Sequence, residues 1–313
     1  MLEFQRGKKM TKIAVFAVNS VAFEILKRLS FDIDLIVTVD PNKAKKLEIT
    51  DYCEKLINYN SLKTYFFNKY SLKSLEDINF FQKYQGDIGL VLGWNRLIPK
   101  EIISQFSICI LGLHGTPYGL PKGRGRSPVI WTLVLGERKY HFYLFKISEG
   151  VDDGPIFSEQ ILDINIFDDN NSFYKKLIIS ASYQINEIIP KIISNSIQPM
   201  EQPSGVPTYF PKRTFADGEI DWNKSTEEIY NLIRAITHPY PCAHTYNGND
   251  IIYIIEAVPF SSKLFSDREV GEVCSVFEDK QFVLKTIDGT LLVKKYKSSS
   301  EIKIGDKFGK KIF

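Results

Sequence analysis

Residues 12–40, KIAVFAVNSVAFEILKRLSFDIDLIVTVD, decide the fold class. Residues 12–18 are an apolar, β-branched run, the pattern of a strand buried on both faces. From Asn19 onward the apolar positions Val21, Ile25 and Leu29 recur at helical spacing. Residues 34–40, DLIVTVD, return to a strand-like run. Strand, helix and strand in so short a span form the βαβ unit of a parallel sheet. No Gly-x-Gly-x-x-Gly follows the first strand, so a dinucleotide site is not indicated.

Further along, residues 88–94 and 108–113 read as buried strands, 129–135 as a helix, and 140–147 and 156–162 as strands. Residues 41–86 read as polar and irregular, apart from a short strand at Tyr65-Phe66-Phe67. Residues 172–193 form a long helix with apolar positions at Leu177, Ile178, Ala181, Ile185, Ile188 and Ile192, and Pro190 is expected to bend it near its end. Residues 196–218 carry Pro199, Pro203, Pro207 and Pro211 and read as a linker. Beyond it, Ser225-Thr226-Glu227-Glu228 is a capping box that starts a helix through Ile236. Five or so strands follow, over 243–246, 251–257, 271–276, 281–286 and 291–296, with a hairpin turn at Asp288-Gly289. The expected division is a domain over 1–195, a linker over 196–218 and a smaller helix-plus-β domain over 219–313.

The 313 residues are enough for about two domains. With 44% hydrophobic and 25% charged residues, disordered and fibrous classes are excluded. Forty basic and 37 acidic residues leave a net charge of +3, too balanced to demand a nucleic-acid partner. Cys53, Cys109, Cys242 and Cys274 lie far apart, which excludes a Cys-x-x-Cys pair and favours a reducing cytoplasm. No apolar run approaches the ~18 residues of a membrane span. Arg6, Lys8 and Lys9 ahead of the first apolar run faintly imitate a signal peptide, but Asn19 and Ser20 interrupt it. Met10 is an alternative start that would make residues 1–9 a leader.

In an open parallel sheet, ligands bind at the carboxyl ends of the strands. Asn95, His114 and the Asp152-Asp153-Gly154 loop fall there. A histidine near a carboxylate moves protons near neutral pH. Each signal also has an ordinary explanation: a structural histidine, a strand-end turn, a solvated Asp-Asp turn. The run KGRGRSP, 122–128, is equally an exposed loop or an anion site built on its arginines.

The order of the pieces adds to this. GWNRLIPKEI (93–102), LHGTPYGLPKGRGRSPVIW (113–131) and EGVDDGPIFSEQ (149–160) together resemble the N10-formyltetrahydrofolate-dependent formyltransferases. After the linker, residues 217–257 resemble the second domain of the methionyl-tRNA and nucleotide-sugar members. Glycinamide ribonucleotide transformylases lack that second domain and are disfavoured. The resemblance implies an α/β fold: a Rossmann-like, mostly parallel sheet in a catalytic domain, then a smaller barrel-like, β-rich C-terminal domain. It implies transfer of a formyl group from N10-formyltetrahydrofolate to a primary amine. His114 takes the catalytic histidine position, and Asp152, counted back from Gly154, the aspartate position. Leu92, Gly93, Trp94, Arg96, Leu97 and Ile98 take the folate side. No metal is implied.

One position departs from the family pattern. Two residues before His114, where the family usually has asparagine, stands Gly112. Asn95 and the Gly112 N–H are the candidate replacement donors, and a catalytically impaired relative is the other reading. For the acceptor, residues 41–46, PNKAKK, carry three lysines but no arginine or glycine, a modest charge for a tRNA partner. The loop bearing Thr116, Lys122, Arg124 and Arg126 is more similar to formyltransferases that accept a nucleotide-linked amino sugar, with the arginines meeting a diphosphate or bracing the loop. The favoured substrate is therefore a nucleotide-linked 4-amino sugar on a route to a surface glycan. Methionyl-tRNA is the alternative, and a non-catalytic folate-binding protein the second alternative. The second domain would complete the acceptor site, form a homodimer interface or stabilise the first domain.

Overall fold

The computed structural model describes residues 11–47, 52–57 and 59–309. The leader expected ahead of Met10 lies outside them, as do Glu48 and Asp51 after the lysine-bearing stretch. Along the chain the elements are β1 (Ile13–Ala17), α1 (Ser20–Leu26), β2 (Leu35–Thr38), α2 (Pro41–Lys46), β3 (Lys63–Phe66), α3 (Leu75–Tyr84), β4 (Ile88–Leu92), α4 (Lys100–Ile103) and β5 (Cys109–Thr116). Then come β6 (Arg124–Gly125), α5 (Pro128–Val134), β7 (Lys139–Lys146), β8 (Ile156–Asp163), α6 (Asn170–Ile193), β9 (Tyr209–Phe210) and α7 (Thr226–Ile236). The last strands are β10 (Ala243–Asn247), β11 (Asp250–Ser261), β12 (Val273–Val276), β13 (Phe282–Lys285), β14 (Thr290–Lys297) and β15 (Phe308–Gly309).

Two compact units emerge. One draws on the described residues of Met1–His114 with His141–Ile161 and Lys176–Val206; the other comprises Gly115–Tyr140, Leu162–Lys175 and the described residues of Pro207–Phe313. These units are drawn in space, whereas the boundaries expected at 195 and 219 are drawn along the chain.

The first unit is built on a seven-stranded sheet in the order β3-β2-β1-β4-β5-β7-β8. The pairs β3-β2, β2-β1, β1-β4 and β4-β5 are parallel. Every residue of β1, β2 and β4 is buried, as strands covered on both faces require. The chain reverses its direction across the sheet between β1 and β4, and crevices form at such a point. In α6 all six expected apolar positions are buried, and the helix runs through Pro190 to Ile193.

The stretch 41–86 is more regular than its composition suggests, because it contains α2, β3 and α3. Helix α3 buries Phe81 in the core against Phe16 and Phe106, with Phe80 and Tyr84 packed beside it. Polar bonds fix its start as well. Ser74 caps the helix at the Asp77 N–H, and the fully buried Asp77 carboxylate accepts from Tyr65 Oη (2.8 Å), Asn68 N (2.8 Å), Lys69 N (3.0 Å) and Ser74 Oγ (2.7 Å).

In the second unit, α7 begins with the expected capping box: Ser225 accepts from Glu228 N, and Glu228 accepts from Ser225 N. It packs against α5 and β11. The six-stranded sheet runs β12-β13-β14-β11-β10-β15, and each neighbouring pair in it is antiparallel. Its two outer strands meet through a bridge between Glu272 and Lys307, supported by Val273 N to Asp306 O (2.8 Å) and Phe308 N to Gly271 O (2.8 Å). The sheet therefore closes on itself and leaves no open edge there. Closure needs glycine at 271, whose φ is +82° and where a Cβ would stand 2.4 Å from the Phe308 carbonyl. The short closing strand β15 was not anticipated, since two residues carry no alternation to read.

His244, on β10, is 1% exposed and stacks on Phe215 with ring centroids 4.1 Å apart. Its Nδ1 is buried with no hydrogen-bond partner among the described residues. Burial lowers its pKa below 6.5, only partly opposed by Glu219. The folded protein thus resists a proton that the unfolded chain binds at the ordinary histidine value. Stability should be constant above that value and fall as the pH drops through it. Thermal melts across this range should show the decline in the native chain and a weaker one in His244→Gln; equal slopes would remove His244 from that role.

All four cysteines are free and buried. Burial pushes the Cys109 thiol up to about 11, so it stays protonated at neutral pH. Among the described residues no helix is long and apolar enough to cross a membrane.

Candidate active site

Strand β5 carries Gly112, His114 and Thr116 at alternate positions, hence on one face. His114 is 6% exposed. Its Nδ1 lies 3.4 Å from Asp152 Oδ2, although the two residues are far apart in the chain. Asp152 sits in the turn between β7 and β8, with φ of +50° and a side chain that is 22% exposed. The neighbouring Asp153 is engaged elsewhere: its carboxylate accepts from Ser148 Oγ. Gly154 explains the Asp-x-Gly spacing, because a Cβ there would fall 1.8 Å from the Lys146 carbonyl oxygen. Lys146 N in turn donates to Pro155 O at 2.8 Å, fastening the turn to the end of β7.

At Gly112 an added Cβ would stand 2.6 Å from Ile147 Cδ1 and 3.2 Å from Phe145 Cε1. The room that a larger residue would take is therefore filled by apolar side chains of this same unit.

The segment after β4 divides in two. Leu92, Trp94 and Ile98 are core side chains, 1%, 9% and 3% exposed. Trp94 packs edge-on against Phe67 (5.1 Å) and Tyr70 (4.9 Å). Gly93 is half-buried with φ of +61°, and Asn95, Arg96 and Leu97 are exposed. Asn95 N donates to Tyr70 Oη at 3.2 Å, and the Arg96 guanidinium lies 5.1 Å from the centre of the Tyr70 ring. Tyr70 thus braces this segment from the α3 side, and the sequence reading passed over it because nothing local marks it. Among the described residues the Asn95 side-chain amide has no hydrogen bond.

The remaining candidate residues belong to the second unit. Thr116 is fully buried and accepts from Tyr118 N at 3.2 Å. Lys122 and Arg126 are exposed, and Arg124 is half-buried. The loop that carries them is ordered by the proline-rich segment: Arg124 pairs with Tyr209 and Gly125 with Phe210 in a parallel two-stranded ribbon. Arg126 N donates to Phe210 O (2.9 Å) and Gly123 N to Thr208 Oγ1 (2.9 Å). Beneath it, Phe210 stacks on Trp131, and Arg213 lies 4.6 Å from the Trp131 ring centre. The signal for this was the Tyr209-Phe210 pair set among prolines.

A model of the formyl transferase family matches residues 11–187, and one of the formyl transferase C-terminal domain matches residues 213–307. The chain belongs to the formyl transferase family. It is 31% identical over 239 residues to the bifunctional polymyxin resistance protein ArnA of Wigglesworthia glossinidia brevipalpis, covering 75% of this chain and 36% of that protein. It is 33% identical over 187 residues to the methionyl-tRNA formyltransferase of Thermodesulfovibrio yellowstonii, covering 59% of each. The matches thus span only part of both relatives. Among solved structures, the fold is shared with the N-formyltransferase from Helicobacter canadensis in complex with folinic acid and dTDP-3-aminofucose. That likeness has a TM-score of 0.63 at 19% identity and covers 95% of this chain and 100% of that one. The mostly parallel sheet and the antiparallel C-terminal sheet are thus those of a formyl transferase.

Proposed function

We propose that this chain transfers a formyl group from N10-formyltetrahydrofolate to the primary amine of a nucleotide-linked amino sugar, with a 4-amino sugar favoured. The pairing of buried His114 with Asp152 at 3.4 Å, in a chain of this family, carries the proposal. The bound folate supplies a formyl carbonyl open to attack, and the chain supplies orientation and proton movement. His114, oriented by the Asp152 carboxylate, donates a hydrogen bond to the carbonyl oxygen as charge develops there. Asp152, directly or through water, accepts the proton that the attacking amine gives up and would return it to the folate N10 as the C–N10 bond breaks and the new amide remains on the acceptor. A low-dielectric setting strengthens the His114 interaction, and His114 is almost wholly buried.

The residues after β4 fit a pterin in two respects. Asn95 offers an unpaired amide to its polar edge, and exposed Leu97 offers apolar contact. Leu92, Trp94 and Ile98 support that surface from the core, while Gly93 and Arg96 border it. Asn95 and the Gly112 N–H remain the candidate donors in place of the family asparagine. The β6–β9 ribbon supports the sugar-nucleotide reading by displaying Lys122, Arg124 and Arg126 on an ordered backbone suited to a diphosphate. The dTDP-sugar complex of the Helicobacter canadensis protein is in keeping with it.

A second reading, methionyl-tRNA as acceptor, draws on the Thermodesulfovibrio relative and on Lys43, Lys45 and Lys46 of α2. The purified chain, supplied with N10-formyltetrahydrofolate, should add one formyl mass to a UDP-, dTDP- or GDP-linked amino sugar and leave methionyl-tRNA unchanged. Formylation of methionyl-tRNA alone would establish the second reading, and no transfer to any amine would leave only folate binding.

A further inference from the structure

We infer that Gln202, in the proline-rich segment after α6, is a positioning residue for Asp152. The inference rests on His114 and Asp152 being the reacting pair. Met200 forms an isolated antiparallel bridge with Ile156 at the start of β8, through hydrogen bonds of 2.7 and 2.8 Å. The bridge brings the Gln202 side chain to the Asp152 turn. There Nε2 donates to the Asp152 carbonyl at 2.7 Å and to the Gly154 carbonyl at 2.9 Å. One primary amide nitrogen carries two N–H donors, so it can serve two carbonyls that face the same point.

Asp152 depends on such a clamp. Its φ of +50° lies in the left-handed region, which residues with a Cβ adopt only where the surroundings hold them there. Without support the turn would relax toward a commoner backbone conformation and carry the carboxylate away from His114. The 3.4 Å contact leaves little margin, since a displacement of about 1 Å in a reacting group can cost on the order of 10²-fold in rate. The clamp works from one side of the turn, and Lys146 holds the other through Pro155. Gln202 therefore acts on the chemistry through Asp152, and not on substrate directly.

Two variants of the full chain test this. Gln202→Met keeps much of the side-chain length and removes both donors. It should lower kcat by about 10–100-fold while the KM for folate changes less than about twofold. Gln202→Glu keeps the shape but presents a carboxylate to two carbonyl oxygens. At about pH 8 it should be at least as impaired as Gln202→Met, and it should recover activity as the pH falls toward about 5, where a protonated carboxyl can donate again. Gln202→Met should show no such recovery. A purely structural role would lower the melting temperature of both variants without this difference in pH profile.

A kcat for Gln202→Met within about twofold of the native value, or a Gln202→Glu profile parallel to that of Gln202→Met, would overturn the inference. If Gln202→Met does not fold, the Gln202→Glu profile against the native chain decides alone. Retained turnover in His114→Ala and Asp152→Ala would instead sink the underlying assignment, and loss in those with no effect at Gln202 would sink only the clamp.

Discussion

His114→Ala should lower the turnover number for formyl transfer by about 10²–10⁴ while leaving the fold intact. The imidazole is the proposed donor to the developing oxyanion, and alanine offers nothing in its place. Asp152→Ala should fall as far, because it removes the proton acceptor and the partner that orients His114. The two losses should not add, since each residue serves its role through the other across 3.4 Å. Steady-state rates of both single variants and of the double variant measure this. Activity near the native level in either single variant removes that residue from its role. Melting curves that match the native chain exclude unfolding as the cause.

Asp77→Ala should produce the largest loss of stability. The carboxylate is fully buried and accepts from four donors, two of them main-chain N–H groups of the loop between β3 and α3. Alanine leaves those donors without a partner, and each unsatisfied buried group costs about 1–3 kcal/mol. Water can reach those at the less buried end, so a net loss of about 2–4 kcal/mol is expected. Asp77→Asn keeps one acceptor oxygen and should lie between the native chain and the alanine variant. Urea unfolding of the three proteins gives the comparison, and a loss below about 1 kcal/mol for alanine would mean that the loop finds other partners. The same loop presents Tyr70 to Trp94 and Asn95. At temperatures where the variant is folded, its KM for folate should therefore rise more than its KM for the acceptor.

Local patterns carried much of the fold. The apolar runs of β1, β2 and β4, the apolar positions of α6 and the Ser225 capping box each depend on residues close in the chain, and each is found where its pattern placed it. Helix α3 was missed because Phe80, Phe81 and Tyr84 lie among polar residues in the chain, and its start is fixed by a buried carboxylate whose partners are not adjacent to it. Which of Leu92, Trp94, Leu97 and Ile98 are core and which are exposed was left open by the sequence, since apolar side chains look alike whether they line a slot or pack beneath it.

What the sequence determined alone is the succession of strands and helices and the presence of His114 and an Asp-x-Gly turn in family order. Spacing and side-chain type are written directly in the chain. The tertiary structure decided that Asp152 meets His114 while Asp153 bonds to Ser148, that Gln202 holds the Asp152 turn, and that Tyr209 and Phe210 pair with Arg124 and Gly125. Those contacts form between segments brought side by side only when the sheet and its flanking elements pack, and no local pattern encodes which distant group will fill a given hydrogen bond.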